Sequence, residues 1–547
     1  MTAGLWDLLT SPVGVEAGRR LHCWDGDGYA AARWPQVVRE AEQMTLGLRR
    51  AGVGPGDRVA TVLTNGPEVV RGVLAAWLAG GVIASLPVPA RGMDADEYAD
   101  QLELICEQLE PAVLLLDDAF LGFVPERLRQ RFRARSWGSV AGSGRVEAAP
   151  RGPDELAFIQ YSSGSTSTPK GCMLTPRAIA AQLHQLRVLT DGQPGEDVGL
   201  SWLPLSHDMG LFGCLLYCWS FGYDFYLSTP ERFTFAPRTW FGDAAAVGAT
   251  LTAGTNTALF LGARAAAAAG LRERLRLRAC IIGAERIDWA TLRFAVDSLA
   301  PSGFRSEALL AAYGLAEATL AVAGTPVYEA PRCVSVHSVA LADGEVHEVE
   351  DSDPAATRVV STGRPCPGVE LLGLRDDALA ELRVRSDSLA SGYYADPVQS
   401  AERFEDGVLR SRDLAFVRDG ELYPVGRTDD LVVVAGRNVY ACEVENAVGA
   451  LDGARRGCCT LIDRGGDAGA RMTLLMELHE DCRDRERLAA QAAELAMAKA
   501  GVALDECIFL ERGTLPKTPT GKIQRHRCRA LLKSGRLRPL AAVGAGA

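Results

Sequence analysis

Lysine is nearly missing from this chain. Of its 58 basic residues only five are lysine, at 170, 499, 517, 522 and 533. After such a drift toward arginine each retained lysine is informative, because a guanidinium cannot everywhere replace a compact point charge on a flexible stem. Other absences exclude whole classes. There is no run of like charge long enough for an acidic or basic tail. The net charge of −11 argues against a general nucleic-acid binder, which needs a basic face. The fourteen cysteines include no C-x-x-C pair; reduced, mostly buried thiols in the cytoplasm explain them better than zinc does. The N-terminus "MTAGLWDLLTSPVG" lacks a basic stretch followed by an apolar one, so no secretion signal is expected. The uncharged stretch 72–90, "GVLAAWLAGGVIASLPVPA", approaches a membrane span in length. However, Gly80-Gly81 divide it and Pro87 and Pro89 fall inside its end. It reads as a buried helix, a turn and a buried strand, and no membrane span is expected.

At 547 residues the chain exceeds one ordinary core, so at least two domains are expected. Apolar β-type runs alternate with helical patterns, which predicts an α/β fold of sheets covered by helices. "QVVREAEQMTLGLRR" (36–50) reads as an amphipathic helix preceded by Pro35 and stopped by Gly52. "LAFIQYS" (156–162), "LRACIIGAE" (277–285) and "EALLAAYGLAE" (307–317) read as buried strands running into loops. In α/β folds, ligands bind at such strand ends. A turn at Asp419-Gly420 and Pro424 mark a boundary near 425–430. Beyond it, "RERLAAQAAELAMAKAG" (485–501) predicts a helix closed by glycine. The expected units are a large one, 1–426, and a small one, 430–547.

"YSSGSTSTPKG" (161–171) clusters six Ser/Thr hydroxyls around Gly164, which suits an anion nest, with Lys170 within reach of an outer phosphate. It lacks the G-K-[ST] ending of the usual P-loop, and taken alone it is equally a surface turn. Tyr313-Gly314-Leu315-Ala316-Glu317 ends another strand, where a carboxylate can hold Mg²⁺ together with phosphate oxygens. Asp413 and Arg427 fall in loop-like segments, where an Asp can accept from ribose hydroxyls and an Arg can reach ribose or phosphate. Each taken singly is also a surface charge or a cap. "LPKTPTGKIQR" (515–525) places two of the five lysines within six positions, with Lys522 between a glycine and an apolar residue.

In this order the segments resemble the adenylate-forming superfamily of acyl-CoA synthetases, NRPS adenylation domains and luciferases, over about residues 25 to 530. "SWLPLSHDMGLFG" (201–213), "IGAE" (282–285), "YGLAEATLAV" (313–322) and "GRNVYACEVE" (436–445) are most similar to the fatty acyl-AMP ligases. So is a long segment between Glu317 and Gly363 containing "CVSVHSVALADGEVHEVEDSD" (333–353); an ordinary surface hairpin is its other reading. The resemblance implies a large N-terminal domain of packed sheets and helices and a small mobile C-terminal α+β domain. It implies ATP and Mg²⁺ as cofactors, a carboxylic acid as substrate, and a carrier-protein or CoA thiol as acceptor. A sister thioester-forming ligase is a further possible partner. Direct acyl-CoA synthesis, or a silent nucleotide-binding homologue, are the alternatives.

Site residues follow from the same resemblance. Ser163, Gly164, Ser165, Thr166 and Lys170 are expected on the phosphates, and Glu317 with Thr166 on Mg²⁺. Gly283, Ala284, Glu285, Tyr313 and Gly314 are expected on the adenine side, and Asp413 and Arg427 on the ribose. His207 is expected near the acyl phosphate, Lys522 as the catalytic lysine of the small domain, and Asp429 as the hinge. The acyl pocket is expected at Met209, Asn256 and Thr257. Three departures stand out. Ser167 replaces a glycine in the phosphate loop, Arg412 replaces a glycine and puts bulk beside the ribose ligand, and Thr255 and Thr257 replace a proline and an aromatic near the expected acyl pocket. The acid is therefore expected to be either a fatty acid or a bulkier, polycyclic one. The insertion is expected to limit use of CoA, with its acidic part, 340–353, removable at small stability cost.

Overall fold

The computed structural model describes residues 3–11, 18–89, 93–140, 142, 144, 147–161, 169–428, 431–434, 437–464, 471–480, 482–517, 523–537 and 539–544. Its strands include Arg58–Thr61, buried from Val59 on, and the fully buried runs Val82–Ser85, Val113–Leu116 and Phe158–Tyr161, which pair in parallel within a six-stranded sheet. Near-continuous apolar strands of this kind occur where helices cover both faces. The helix Pro67–Leu78 is buried almost all round, so it lies between layers rather than at the surface. Val69, Val70, Val73, Leu74 and Leu78 each remove a whole side chain from water, worth about 1.5–3 kcal/mol apiece. Gly80, at φ 87, turns the chain into Val82–Ser85, as expected. The helix expected over 36–50 runs from Trp34 to Arg50, with Pro35 inside its first turn. Proline is tolerated there because that N–H has no intrahelical partner.

Among the described residues a nine-stranded sheet carries the strands that matter most for chemistry. In spatial order it places Ala321–Gly324, Leu309–Gly314, Ala279–Ile282, Leu251–Gly254, Val198–Ser201 and Asp224–Leu227 side by side. From Leu309–Gly314 to Asp224–Leu227 all neighbours are parallel, so their carboxyl ends open on one edge. A third sheet holds the hairpin Val408–Arg418 and Glu421–Arg427, joined by the turn at Asp419 (φ 52) and Gly420 (φ 75).

The apolar clusters divide along the chain. Those built from residues up to Val425 share no member with those built from Ala441 onward. The later clusters cover both faces of a four-stranded sheet formed by Ala454–Asp463, Met472–Leu478, Glu506–Leu510 and Ala541–Gly544. Helix Arg485–Ala500 packs on it and closes at Gly501, in the left-handed region. Polar bridges join the two sets: Arg527 to Glu97 at 2.6 Å, Arg536 to Asp94 at 3.0 Å, and Arg456 to Asp288.

The insertion is more than a hairpin. Strands Cys333–His337 and Ala356–Val360 pair antiparallel, and a short helix Ser338–Ala342 follows the first. Leu341 and Val346 are buried with Val336, Val359, Phe416, Tyr423 and Val425. Removal of 340–353 would therefore excise core residues, which corrects the expectation that this stretch is dispensable.

Candidate functional site

One cavity of roughly 290 Å³ opens at the carboxyl ends of the parallel strands. Its polar end is built by Tyr313, Gly314, Glu317, His207 and Arg427, and its apolar arm runs down between the sheet and the helix Pro176–Leu189. Gly314 is required by close approach: a Cβ there would sit 1.9 Å from the Leu320 carbonyl oxygen. Gly283 and Ala284 also line the wall, with Ala284 in the left-handed region at φ 64.

Two side chains from different elements converge on the Asp413 carboxylate. Asp413 and Arg427 face each other across the antiparallel ladder, and Arg427 Nε lies 3.3 Å from Asp413 Oδ1. The Tyr313 hydroxyl donates to Asp413 Oδ2. Burial, reinforced by the Asp413 charge, pushes the Tyr313 phenol well above its ordinary value, so it stays a donor. The Asp413 amide donates to Ser411 Oγ at 3.0 Å, and Ser411 in turn donates to the Leu382 carbonyl. Arg412 holds φ 60 and reaches away to Glu402 at 3.3 Å. The bulk expected beside the ribose site is thus directed to another partner.

Glu317 lines the cavity and accepts from the Tyr393 hydroxyl at 2.7 Å. Arg403, buried, stands 3.8 Å from the same oxygen and donates to the Ser411 carbonyl at 3.0 Å. It therefore ties Glu317 to the strand that carries Asp413. Neither Tyr393 nor Arg403 was legible as a site residue, because both lie beyond any phosphate-type motif. Lys170 donates to Gln399 Oε1 at 2.9 Å and lies over the Tyr393 ring, 5.4 Å from its centroid.

His207 Nδ1 lies 2.6 Å from Asp208 Oδ1, and the Met209 amide donates to that oxygen at 2.7 Å. Burial alone would lower the imidazole pKa, but the adjacent Asp208 carboxylate prevails and raises it. His207 and Met209 both line the cavity. The chain then enters a π-helical stretch, Leu211–Leu216, of the sort that recurs at functional sites.

Other expected residues fall elsewhere. Glu285 is off the cavity wall: its carboxylate accepts from the Thr257 amide and from Thr257 Oγ1, holding the start of helix Asn256–Ala268, whose N-cap is Thr255. Burial raises its pKa despite those bonds. Asn256 Oδ1 accepts from the Asp288 amide at 3.0 Å, and a Cβ on Gly457 would lie 3.4 Å from Thr257 Oγ1. Asp288 is the partner of Arg456, which also covers Phe260. Asn256 and Thr257, expected in the acyl pocket, are instead the seat on which residues 456–457 of the C-terminal unit rest. Position in a motif did not reveal which face of the helix they occupy.

Ser163, Gly164, Ser165, Thr166, Asp429 and Lys522 lie outside the described residues. Their described neighbours are informative. Tyr161, on the cavity wall, pairs with Gly171 across the two strands flanking the hydroxyl-rich segment. Lys517 and Ile523 form an antiparallel bridge on either side of Lys522, and Ile523 and Gln524 line the cavity. Below them Arg525 is fixed by Glu445 at 2.7 and 3.0 Å. Lys517 is buried, donating to the Gly457 carbonyl at 2.7 Å. Lys499 donates to the Ala356 carbonyl of the insertion at 3.0 Å. Its rarity in the sequence was the signal that could have found it.

Among the described residues thirteen cysteines are free thiols, and no three metal-ligating side chains cluster. Likewise no described helix is long and apolar enough to cross a membrane. The family described as AMP-binding enzyme matches residues 17–394. The putative ligase Rv1013 of Mycobacterium tuberculosis is 29% identical over 510 residues, covering 90% of this chain and 93% of that protein. The long-chain-fatty-acid–AMP ligase FadD26 of the same species is 27% identical, covering 92% of each. Among solved structures, one from work on fatty acyl-adenylate ligases of E. coli and L. pneumophila superimposes with a TM-score of 0.88 at 23% identity, covering 97% and 98%. The McyG A-PCP structure with phenylalanyl-adenylate gives 0.83 at 18% identity, covering 98% and 84%. At these identities the structures share the two-part adenylate-forming fold.

Proposed function

We infer the reaction from one premise: this chain belongs to the AMP-binding enzyme family. The reading is an ATP-dependent acyl-AMP ligase. The observation that carries it is a single cavity joining an apolar arm to a polar end held by Tyr313, Arg427, Glu317 and His207, with Ile523 and Gln524 of the lysine loop on its wall. A carboxylate oxygen attacks the α-phosphorus of ATP, the bond to the bridging oxygen breaks, and pyrophosphate leaves. A thiol sulfur then attacks the acyl carbon and AMP departs. Little covalent chemistry falls to the protein; it aligns two anions and offsets their charge.

In this reading Asp413 and Arg427 hold the ribose while Tyr313 orients Asp413. Gly283, Ala284 and Gly314 let the adenine approach backbone. Glu285 acts at one remove, by holding the helix start beneath that loop. Lys170, with Ser163, Gly164, Ser165 and Thr166, takes the outer phosphates. His207, fixed through Nδ1 by Asp208, presents Nε2 to the acyl-phosphate region. Glu317 and Thr166 would hold Mg²⁺, which neutralises phosphate charge; with the other lining carboxylate, Asp208, paired to His207, one carboxylate suits an ion bound mostly through phosphate oxygens. Lys522 bridges acyl carboxylate and phosphate when the C-terminal unit closes.

We keep the division at 1–426 and 430–547, supported by the separate apolar clusters, with Asp429 as the pivot. The acceptor we favour is a carrier-protein thiol. Support comes from the insertion, which packs on the Glu421–Arg427 strand that leads to the pivot and takes Lys499 of the C-terminal unit. The free thiols suit a cytoplasmic setting. The test is acid-dependent ATP–pyrophosphate exchange together with detection of acyl-AMP over a panel of linear, aromatic and polycyclic acids. Absence of exchange with every acid would leave a nucleotide-binding homologue without the activity.

A further inference from the structure

We propose that the acyl group accepted here is of medium length, about ten carbons or a ring system of equal reach, because the apolar arm ends on a fixed floor of Tyr217, Thr190, Gly199 and Cys218. This rests on the acyl-adenylate reading and concerns only how long the acyl group can be.

Strand register sets the depth. Leu251 pairs with Gly199 at the deep end, Ala253 pairs with Ile281 two residues on, and Gly283 stands two residues further, where the polar end begins. Four residues of strand span roughly 13 Å at about 3.3 Å each. An extended chain advances ~1.2 Å per bond, three bonds to each ~3.6 Å residue, so about ten or eleven chain atoms fill the arm. The walls are apolar, with Leu186, Leu189, Leu200 and Leu320, and suit hydrocarbon. The whole cavity, polar end included, is roughly 290 Å³, at the lower edge of the ~300–1,000 Å³ usual for small-molecule sites.

The floor has no room to retreat. Tyr217 is 3% exposed, and its hydroxyl lies 2.6 Å from Thr190 Oγ1. Thr190 gives its own hydrogen to the Leu186 carbonyl, so Tyr217 is the donor. The Tyr223 hydroxyl follows at 3.4 Å. Behind both runs the backbone of Gly192, where an added Cβ would lie 2.2 Å from the Tyr217 hydroxyl and 2.4 Å from that of Tyr223. The Tyr217 ring packs edge-on against Phe221 and Tyr223, and Trp34 donates to the Tyr223 carbonyl. At Gly199 a Cβ would come within 2.4 Å of Cys218 Sγ. Among the described residues, packed side chains and the Gly192 backbone lie directly behind this floor.

The experiment is acid-dependent pyrophosphate exchange by the full chain with saturated acids from butanoate to hexadecanoate. Exchange should peak at octanoate or decanoate and fall at least about tenfold by hexadecanoate, each ill-fitting methylene weakening transition-state binding. Tyr217→Ala should move the peak to longer acids; where that variant does not fold, Cys218→Ala should raise tetradecanoate relative to decanoate. Hexadecanoate matching decanoate in the unaltered protein would overturn the proposal, and so would an unmoved peak in a folded variant. Exchange with none of the acids would count against the acyl-adenylate reading instead.

Discussion

The two ends of the cavity are built by different means. At the polar end, side chains from distant segments meet on loops and strand termini, and the backbone bends into unfavourable regions, with Ala284 at φ 64 and Arg412 at φ 60. Its key contact, Tyr313 with Asp413, joins residues 100 positions apart. At the far end the same cavity is closed by ordinary core: Tyr217, Tyr223, Phe221 and Trp34 interlock as in any apolar interior. Left-handed backbone does not by itself separate the two ends, since Asp191 beside Thr190 also holds φ 46; what separates them is that polar side chains are brought together at one and apolar rings are packed at the other. Packing density governs where ligands must stop. Chemistry and length selection are therefore separable by mutation.

The largest effect should come from the polar end. Lys522→Ala should lower pyrophosphate exchange by about a thousandfold or more, the scale of losing a main transition-state charge donor, while nucleotide binding by calorimetry is retained. Near-normal exchange would remove Lys522 from catalysis. Lys522→Arg should also be poor, since a planar fork does not sit where a point charge bridges two oxygens.

Asp413→Ala comes next. It strips Tyr313 and Arg427 of their shared acceptor. A loss of about ten- to a hundredfold in kcat/KM for ATP is expected, with KM for the acid near its original value. A matching rise in the acid KM would mean that the two ends are coupled after all.

Lys499→Ala tests the link between insertion and C-terminal unit. Loss of its bond to the Ala356 carbonyl should raise acyl-CoA formed per pyrophosphate by about two- to tenfold, the worth of one partly exposed hydrogen bond. An intact protein that already yields one acyl-CoA per pyrophosphate would make it a plain acyl-CoA synthetase. The smallest effect is Arg412→Gly. Glycine relieves a left-handed strain of about 1–2 kcal/mol but adds about 0.5–1 kcal/mol of chain entropy. The exposed contact to Glu402 offsets little. A stability gain of up to about 1 kcal/mol in urea denaturation is expected; a loss would show that the Glu402 contact outweighs the strain.

Much of the scaffold is legible in the sequence alone. The strands at 158–161, 279–282 and 309–314, the helix at 485–500 and the turn at 419–420 all follow from apolar runs ended by glycine or acidic residues. The insertion was read less well. Its alternation "CVSVHSV" stops where helix Ser338–Ala342 begins. Leu341 in the short run 339–342 and Val346 between Glu345 and His347 show no shared period from which burial could be inferred. Asn256 and Thr257 were misplaced for a related reason: a motif gives the helix but not the side of it that faces the cavity.

The sequence by itself determined the layered α/β scaffold, because periodicity and turn chemistry act over a few residues. It also determined the chemical inventory of the polar end, since a carboxylate, a phenol or a rare lysine carries its chemistry wherever it is placed. Only the tertiary structure decided that Asp413 answers to Tyr313, that Arg403 ties Glu317 to the same strand, and that Glu285 holds a helix start. Only it decided that Tyr217 closes the acyl arm. Those are relations between segments far apart in the chain, set by strand register and by which side chains fill the space between sheet and helix.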